Sequence, residues 1–218
     1  MSTLRRLVRK GSAPAVERCE LCAVELAADH SHLVEPESHR LACACDACAL
    51  LFDGSVTGRF RRVPRRGRFL PDFVLTDAQW EALLIPINMA FFFFSTPAGK
   101  IVAMYPSPAG ATESLLPLDA WQSLVDENEI LRLMQPDVEA LLVNRLGAAR
   151  GAADVEYYLA PIDECYKLVG LIRSHWRGLS GGTEVWSRIG EFFAQLKDRS
   201  AVSRQQQVSR QQQGAVDA

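Results

Sequence analysis

The sequence predicts an α+β protein in two unequal parts, and three observations support this. Five of the six cysteines lie within 30 consecutive residues, from Cys19 to Cys48. A stretch rich in arginine, glycine and proline follows at 54–72 and breaks any regular pattern. From residue 73 the sequence turns to short strands and amphipathic helices. The chain of 218 residues is long enough for one ordinary domain and a small module.

These changes in composition divide the chain into five segments. Residues 1–16 are basic and hold few large apolar side chains, so we expect a flexible tail. A cysteine-rich module spans 17–53, an arginine-rich connector 54–72, and a mixed α+β domain 73–197. The polar repeat SRQQQVSRQQQG lies in 198–218 and has nothing to bury, so we expect this tail to be disordered.

The first elements of the α+β domain are a short helix and a β-hairpin. Thr76 and Gln79 have the spacing of a capping box, which predicts a helix from residue 77. Aromatic and β-branched residues on both sides of a Thr-Pro-Ala-Gly turn predict a hairpin over 88–105. The prolines that follow lack backbone donors, so we expect a rigid loop after the hairpin.

The rest of the domain alternates helices with strands. The helices have apolar residues at helical spacing behind a capping residue, and the strands combine β-branched and aromatic residues. In chain order we predict a helix from Leu118, strands over 138–145 and 155–160, a helix from Asp163 to about Trp176, and a last helix from Thr183. Cys165 lies on an apolar helical stripe, so we interpret it as a core residue.

The clustered cysteines carry the strongest functional signal. Cys19 and Cys22 form one C-x2-C pair, and Cys45 and Cys48 form a second after 22 intervening residues. Two such pairs are typical of a zinc-ribbon-like structural site with four thiolate ligands. A segment of about 35 residues buries too little surface to fold alone, whereas a structural zinc contributes roughly 10 to 16 kcal/mol. We therefore predict a zinc-folded module with these four cysteines as ligands.

Three further groups leave the ligand set open. Cys43 is a fifth thiol, and His30 and His32 form an H-x-H motif between the two pairs. In the simpler interpretation Cys43 packs beneath the site, and the histidines lie at the surface or behind the ligands. The alternative is a mixed or binuclear centre that uses them. Iron is the alternative metal, because four thiolates also hold rubredoxin-type iron.

Charge and hydropathy exclude several classes of protein. The formal net charge of −2 argues against nucleic-acid binding through overall charge. Six arginines between Arg59 and Arg68 offer contacts to phosphate, but we favour a connector that faces acidic protein surface. The longest apolar run is too short for a membrane span, and the N-terminus does not resemble a secretory signal. We therefore expect a cytoplasmic protein.

No motif predicts a catalytic site. After the connector the chain has one histidine, His175, which we interpret as a capping residue near a helix end. No Ser/His/Asp or Cys/His arrangement has local support. The small-residue loops at 106–114 and 178–183 match no phosphate-binding motif, so we interpret them as turns. The sequence leaves enzymatic activity open, favours a binding protein and assigns no catalytic residue.

Four stretches of the sequence carry a resemblance to a known family. They are CELCAVELAADHSHL, LACACDACALLF, AMYPSPAGATES and IDECYKLVGLIRSHWRGLSGG. They resemble an uncharacterised bacterial family whose genes lie near those of high-affinity, oxygen-tolerant nickel-iron hydrogenases, and the resemblance spans about 17–197. It implies an accessory role, with a hydrogenase subunit or a maturation factor as the protein partner, and it implies no established activity.

Three functions follow as hypotheses. The first is a metal-binding accessory or scaffold protein that serves maturation or assembly of a nickel-iron hydrogenase. The second is a thiolate-iron electron carrier of the rubredoxin type. The third is a nucleic-acid-binding regulator that uses the zinc module and the arginines of the connector. The sequence names neither the partner nor the oligomeric state.

Overall fold

A computed structural model describes residues 16–53, 58–115, 118–147 and 155–216 of the chain. Within these ranges it contains two antiparallel sheets, one of three strands and one of six, together with helices. The predicted α+β class is confirmed. The tail expected at 1–16 lies, apart from Val16, outside the described residues.

The smaller sheet belongs to the cysteine-rich module. β1 (Ser31–Glu35) pairs with β2 (Arg40–Ala44), which leads into helix α1 (Asp46–Leu51). β3 (Arg61–Arg62) pairs with the other side of β1 and comes from the connector. The apolar core of this part is small. Its buried members are Cys19, Leu33, Ala44, Cys48, Ala49 and Phe60.

The larger sheet has six strands within the described residues. In chain order they are β4 (Arg68–Phe69), β5 (Met89–Ser95), β6 (Lys100–Ser107), β7 (Gly110–Ser114), β8 (Glu139–Asn144) and β9 (Glu156–Pro161). Their spatial order is β4–β9–β8–β5–β6–β7, and neighbouring strands are antiparallel. β5 is buried on both faces, which accounts for its almost unbroken apolar sequence.

Helices cover both faces of the larger sheet. On one face lie α2 (Asp77–Ala82), α3 (Leu118–Glu127) and a 3-10 turn at Glu129–Leu133, and on the other lie α4 (Ile162–His175) and α5 (Gly182–Val216). Successive β5 side chains alternate between the two cores, as the strand period of two requires. Phe91 and Phe93 pack with residues of α4 and α5, and Phe92 packs with those of α2 and α3.

Local signals locate several of these elements correctly. The predicted capping box is present, with Thr76 as the N-cap of α2 and Gln79 closing it. The predicted hairpin corresponds to β5 and β6, and the two later strands correspond to β8 and β9. α4 begins one residue before Asp163, with Pro161 as its N-cap. Cys165 is fully buried in the core of this face, as expected.

The segment after the hairpin is strand, whereas the sequence predicts a rigid loop. β6 extends through Ser107, and β7 pairs back onto it. Pairing of β6 with β5 ends at Met104, so Pro106 has a paired strand on one side only. A proline is tolerated there because no second ladder requires its missing N–H group.

The last helix is longer than the sequence predicts. The expected disordered tail starts at 198, whereas α5 continues to Val216. No glycine or proline interrupts the chain between Gly190 and Gly214, and glutamine, arginine and alanine are good helix formers. Residues 217 and 218 lie outside the described range. Among the described helices, none is both long and apolar enough to span a bilayer.

Candidate metal centre

The structure brings the two cysteine pairs together. Four sulfur atoms lie within 4.8 Å of one another, those of Cys19, Cys22, Cys45 and Cys48. The Sγ atoms of Cys22 and Cys45 are 3.7 Å apart. A tetrahedral ion with zinc–sulfur bonds of about 2.3 Å requires sulfur–sulfur distances of about 3.8 Å. The donor set and its spacing therefore fit one four-thiolate ion.

A tight turn holds the first pair. The Ala23 N–H group donates to the Cys19 carbonyl at 2.8 Å, and the Cys19 N–H group donates to the Val24 carbonyl at 2.9 Å. Ala23 has a φ of 62°, in the left-handed region that L-residues seldom adopt. This conformation turns the chain sharply after Cys22 and directs both sulfurs of the pair to one side.

A helix start holds the second pair. Cys45 is the N-cap of α1, and its sulfur accepts a hydrogen bond from the Cys48 N–H group at 3.5 Å. The sulfur takes the place of the oxygen that usually caps a helix. The spacing of three residues places both sulfurs at the same end of α1, next to the first pair.

The four thiols differ in their affinity for protons. Burial raises the pKa of Cys19, but backbone N–H groups of Cys45, Cys22 and Leu21 donate to its sulfur and bring the pKa down to about 6. Burial and the neighbouring sulfurs raise the pKa of Cys48 to about 12. Metal binding at neutral pH must therefore displace the Cys48 proton, so the affinity of this site for a metal decreases with acidification.

A second group of ligand-type side chains lies on the β1–β2 hairpin. The donor atoms of His30, His32 and Cys43 are within 4.8 Å of one another. His32 and Cys43 are directly opposite in the strand register, and His30 precedes His32 by two residues. Cys43 thus groups with the two histidines, as in the alternative that the sequence left open, and stands outside the set of four clustered thiols.

Both histidines of this group are oriented by acceptors at Nδ1. Ala27 supplies a carbonyl 2.9 Å from Nδ1 of His30, and Asp163 supplies a carboxylate oxygen 2.8 Å from Nδ1 of His32. The hydrogen bond with Asp163 raises the pKa of His32. Burial raises the pKa of the Cys43 thiol, and nearby acidic side chains add to this shift.

Asp163 is the site residue that the sequence does not reveal. The sequence predicts only that it begins a helix, and it lies 131 residues from His32. No local pattern relates the first turn of α4 to the cysteine-rich module, so only the tertiary structure shows the contact. Asp29 does not bond to His30 Nδ1. Its carbonyl instead lies 3.3 Å from a guanidinium nitrogen of Arg65.

Arginines of the connector contact acidic side chains of the same chain. The Nε atom of Arg59 donates to Glu35 at 2.6 Å. That of Arg61 lies 3.2 Å from the carboxylate of Asp137, whose side chain is 1% exposed. These ion pairs favour the interpretation in which the connector faces acidic protein surface, and they reduce the number of guanidinium groups available to phosphate.

The remaining residues singled out by the sequence have structural contacts. His175 Nδ1 lies 2.9 Å from the Leu171 carbonyl, so its ring contacts the last turn of α4. The segment 106–114 belongs to β6 and β7 except for a turn at residues 108 and 109, and Ser107 Oγ donates to the Gly110 carbonyl across that turn. The contact of His175 agrees with its interpretation as a helix-end residue, whereas the interpretation of 106–114 as a turn holds only for residues 108 and 109.

Comparisons with known proteins identify the chain by family rather than by activity. No curated protein and no solved structure matches it. A family model described as "Family of unknown function (DUF5947)" matches residues 18–200. The matched range contains both groups of ligand-type side chains and Asp163. The chain belongs to this family of unknown function, DUF5947.

Proposed function

We propose that this protein is a zinc-binding accessory or scaffold protein, in which four thiolates fold a small docking module beside the α+β domain. The observation that carries the proposal is the convergence of four sulfurs within 4.8 Å, supplied by a tight turn and a helix start. The set uses all four positions of a tetrahedral ion, as structural zinc sites do.

The surroundings of the four sulfurs support a structural role. Cys19 and Cys48 are buried and belong to the small apolar core of the module. Next to them, α1 exposes Leu50 and Leu51, which are 64% and 62% exposed. An ion at the four sulfurs would fix α1 and present this apolar pair to a partner. The docking surface would thus depend on the structural ion.

Metal analysis of anaerobically purified protein tests the metal. We expect zinc, no visible absorbance, and the loss of one ion per chain in Cys45→Ser. The matched control Cys165→Ala alters a buried cysteine of the α+β domain and should keep the ion. A metal-free wild-type protein with a folded module would overturn the proposal. Visible absorbance from thiolate-bound iron would favour the electron carrier instead.

The resemblance to proteins encoded near nickel-iron hydrogenases suggests the partner. We propose a hydrogenase subunit or a maturation factor. In a host that makes such a hydrogenase, a tagged chain should capture that partner, and deletion of the gene should lower hydrogenase activity. Re-expression of the wild type should restore the activity, whereas Cys45→Ser should not.

A double variant separates docking from folding. Leu50→Ser with Leu51→Ser should retain the zinc ion but lose capture of the partner, since the substitutions change only exposed side chains of α1. Unchanged hydrogenase activity after gene deletion would contradict the accessory role. Tight binding of nucleic acid that weakens steeply with salt would instead support the regulator hypothesis.

A further inference from the structure

We propose that His30, His32 and Cys43 form a second metal site, separate from the four thiolates, with an open coordination position that faces a cavity. The three donor atoms lie within 4.8 Å of one another. The site does not use any of the four clustered thiols as a ligand. It therefore goes beyond the proposed structural zinc site and can fail or succeed independently of it.

His30 provides the strongest evidence. Its side chain is 8% exposed, and its Nε2 atom is buried without a hydrogen-bond partner among the described residues. Its Nδ1 atom lies 2.9 Å from the Ala27 carbonyl, which can only accept, so the proton resides on Nδ1. Nε2 is then a buried lone pair without a partner, which is costly unless it binds an ion.

In His32, as in His30, an acceptor occupies Nδ1 and leaves Nε2 for a metal ion. Asp163 accepts from its Nδ1 at 2.8 Å, which leaves Nε2 as the atom that can bind a metal. A carboxylate behind a histidine is the usual arrangement around protein metal ligands, because it fixes the ring and increases the basicity of the ligating nitrogen. The rings of His30 and His32 are 4.8 Å apart between centroids.

Cys43 completes the set from the neighbouring strand. It is directly opposite His32 in the register of β1 and β2. Its backbone is fixed on both sides by Glu20, whose carboxylate accepts from the Cys43 N–H group and whose N–H group donates to the Cys43 carbonyl, each at 2.9 Å. Two imidazoles and one thiolate suit zinc and related divalent transition metals.

The fourth position is open. The three side chains line a cavity of about 870 Å³ between the module and α4. Charged side chains of both signs line the same cavity, the cationic Arg65, Arg66 and Lys167 and the acidic Asp163 and Glu164. Three protein ligands with one open position distinguish sites that bind an exchangeable ligand from closed structural sites. Water or a small anion would occupy that position.

Zinc stoichiometry of the full chain tests the site. After loading with zinc and gel filtration, we expect two ions per chain in the wild type and one in both Cys43→Ser and His30→Gln. His39→Asn is the matched control, because His39 belongs to the same hairpin and contacts Phe93 instead of the site. It should keep both ions. Asparagine also suits the positive φ of 54° at this position.

A second measurement identifies the ligands. With zinc in the first site, added Co²⁺ should give a sulfur-to-cobalt charge-transfer band that Cys43→Ser abolishes. Asp163→Asn should retain the band but weaken the affinity for Co²⁺ about 10- to 100-fold, as is typical when the group behind a ligating histidine is changed. Unchanged affinity in Asp163→Asn together with an unchanged band in Cys43→Ser would overturn the proposal.

The outcomes separate this site from the four-thiolate site. A single wild-type ion that Cys45→Ser loses, while Cys43→Ser and His30→Gln both keep it, overturns the second site and supports the first. A single ion that His30→Gln loses and Cys45→Ser keeps supports the second site and overturns the first. Two ions in both Cys43→Ser and His30→Gln would exclude these residues as ligands.

Discussion

The two regions of this chain are stabilised by different interactions. The α+β domain buries two apolar cores on opposite faces of a six-stranded sheet, and each core contains aromatic residues from several elements. Among the described residues, the core of the cysteine module has six buried members, and two of them are cysteines of the four-thiol cluster. Burial alone can therefore hold the first region, whereas the second would need the proposed metal ion.

The regions are nevertheless joined. Val34 and Val63 extend the core beneath α4 and α5 into the module. Arg61 of β3 contacts Asp137 of the larger domain, and His32 contacts Asp163 of α4. Loss of the metal should therefore unfold the module while most of the larger domain keeps its fold, with changes confined to this junction.

The largest expected effect is that of a ligand substitution. Cys48→Ser should unfold the module, because a structural zinc ion at the proposed site would supply about 10 to 16 kcal/mol of its folding free energy. Trypsin should then cleave after Arg40, which lies in β2, while the larger domain resists. All four tryptophans, Trp80, Trp121, Trp176 and Trp186, lie in the larger domain, so their fluorescence should not change. A module that still resists trypsin would show that its fold does not depend on the four thiolates.

A core substitution in the larger domain should have the next largest effect. Phe92→Ala removes a fully buried ring and should lower the free energy of unfolding by about 3 to 5 kcal/mol. Phe91→Ala should cost a similar amount on the opposite face. Urea unfolding followed by tryptophan fluorescence measures both. If a chelator changes the loss appreciably, the larger domain is not independent of the metal.

A smaller effect is expected at the junction. The buried carboxylate of Asp137 accepts from the backbone N–H group of Thr96 at 2.7 Å and contacts Arg61 at 3.2 Å. Asp137→Ala should lower stability by about 1.5 to 3 kcal/mol, as expected for hydrogen bonds to a charged group. Asp137→Asn should cost less, because asparagine also tolerates the positive φ of 66°. Thermal unfolding checks this order, and equal losses would contradict it.

The smallest effect is expected at a helix cap remote from the metal. Thr76→Ala removes the side-chain acceptor of the α2 capping box and should cost about 1 kcal/mol. Thr76→Ser keeps the hydroxyl and should lie close to the wild type. Both variants should bind as much zinc as the wild type. A loss of zinc in Thr76→Ala would show that the two regions are coupled more strongly than their contacts indicate.

Local signals in the sequence predict the parts of this structure that depend on neighbours in the chain. The capping box at Thr76, the hairpin of β5 and β6, and the C-x2-C pairs each follow from spacing within a few residues. The β6–β7 pairing does not follow from such spacing. Proline argues against a strand unless it is known that the residue has a paired strand on one side only. β3 and β4 have two residues each, too few to produce a pattern.

Long-range contacts account for the rest of what the sequence leaves open. The grouping of Cys43 with the histidines depends on the register of β1 and β2, which the sequence does not specify. The contact between His32 and Asp163 joins residues 131 positions apart. The helical backbone beyond residue 198 has a local cause instead of a long-range one. The helix propensity of its residues favours it, although the repeat has no apolar stripe.

Hydrogen exchange of the full chain, with and without a metal chelator, shows most directly whether a metal ion holds the folded module. We predict that amides of β1, β2 and α1 lose protection in the chelator and regain it when zinc is restored. Amides of β5 and β8 should keep theirs throughout. Full protection of β1, β2 and α1 in metal-free protein, or simultaneous loss of protection in both regions, would contradict a module folded by its metal beside a domain folded by its core.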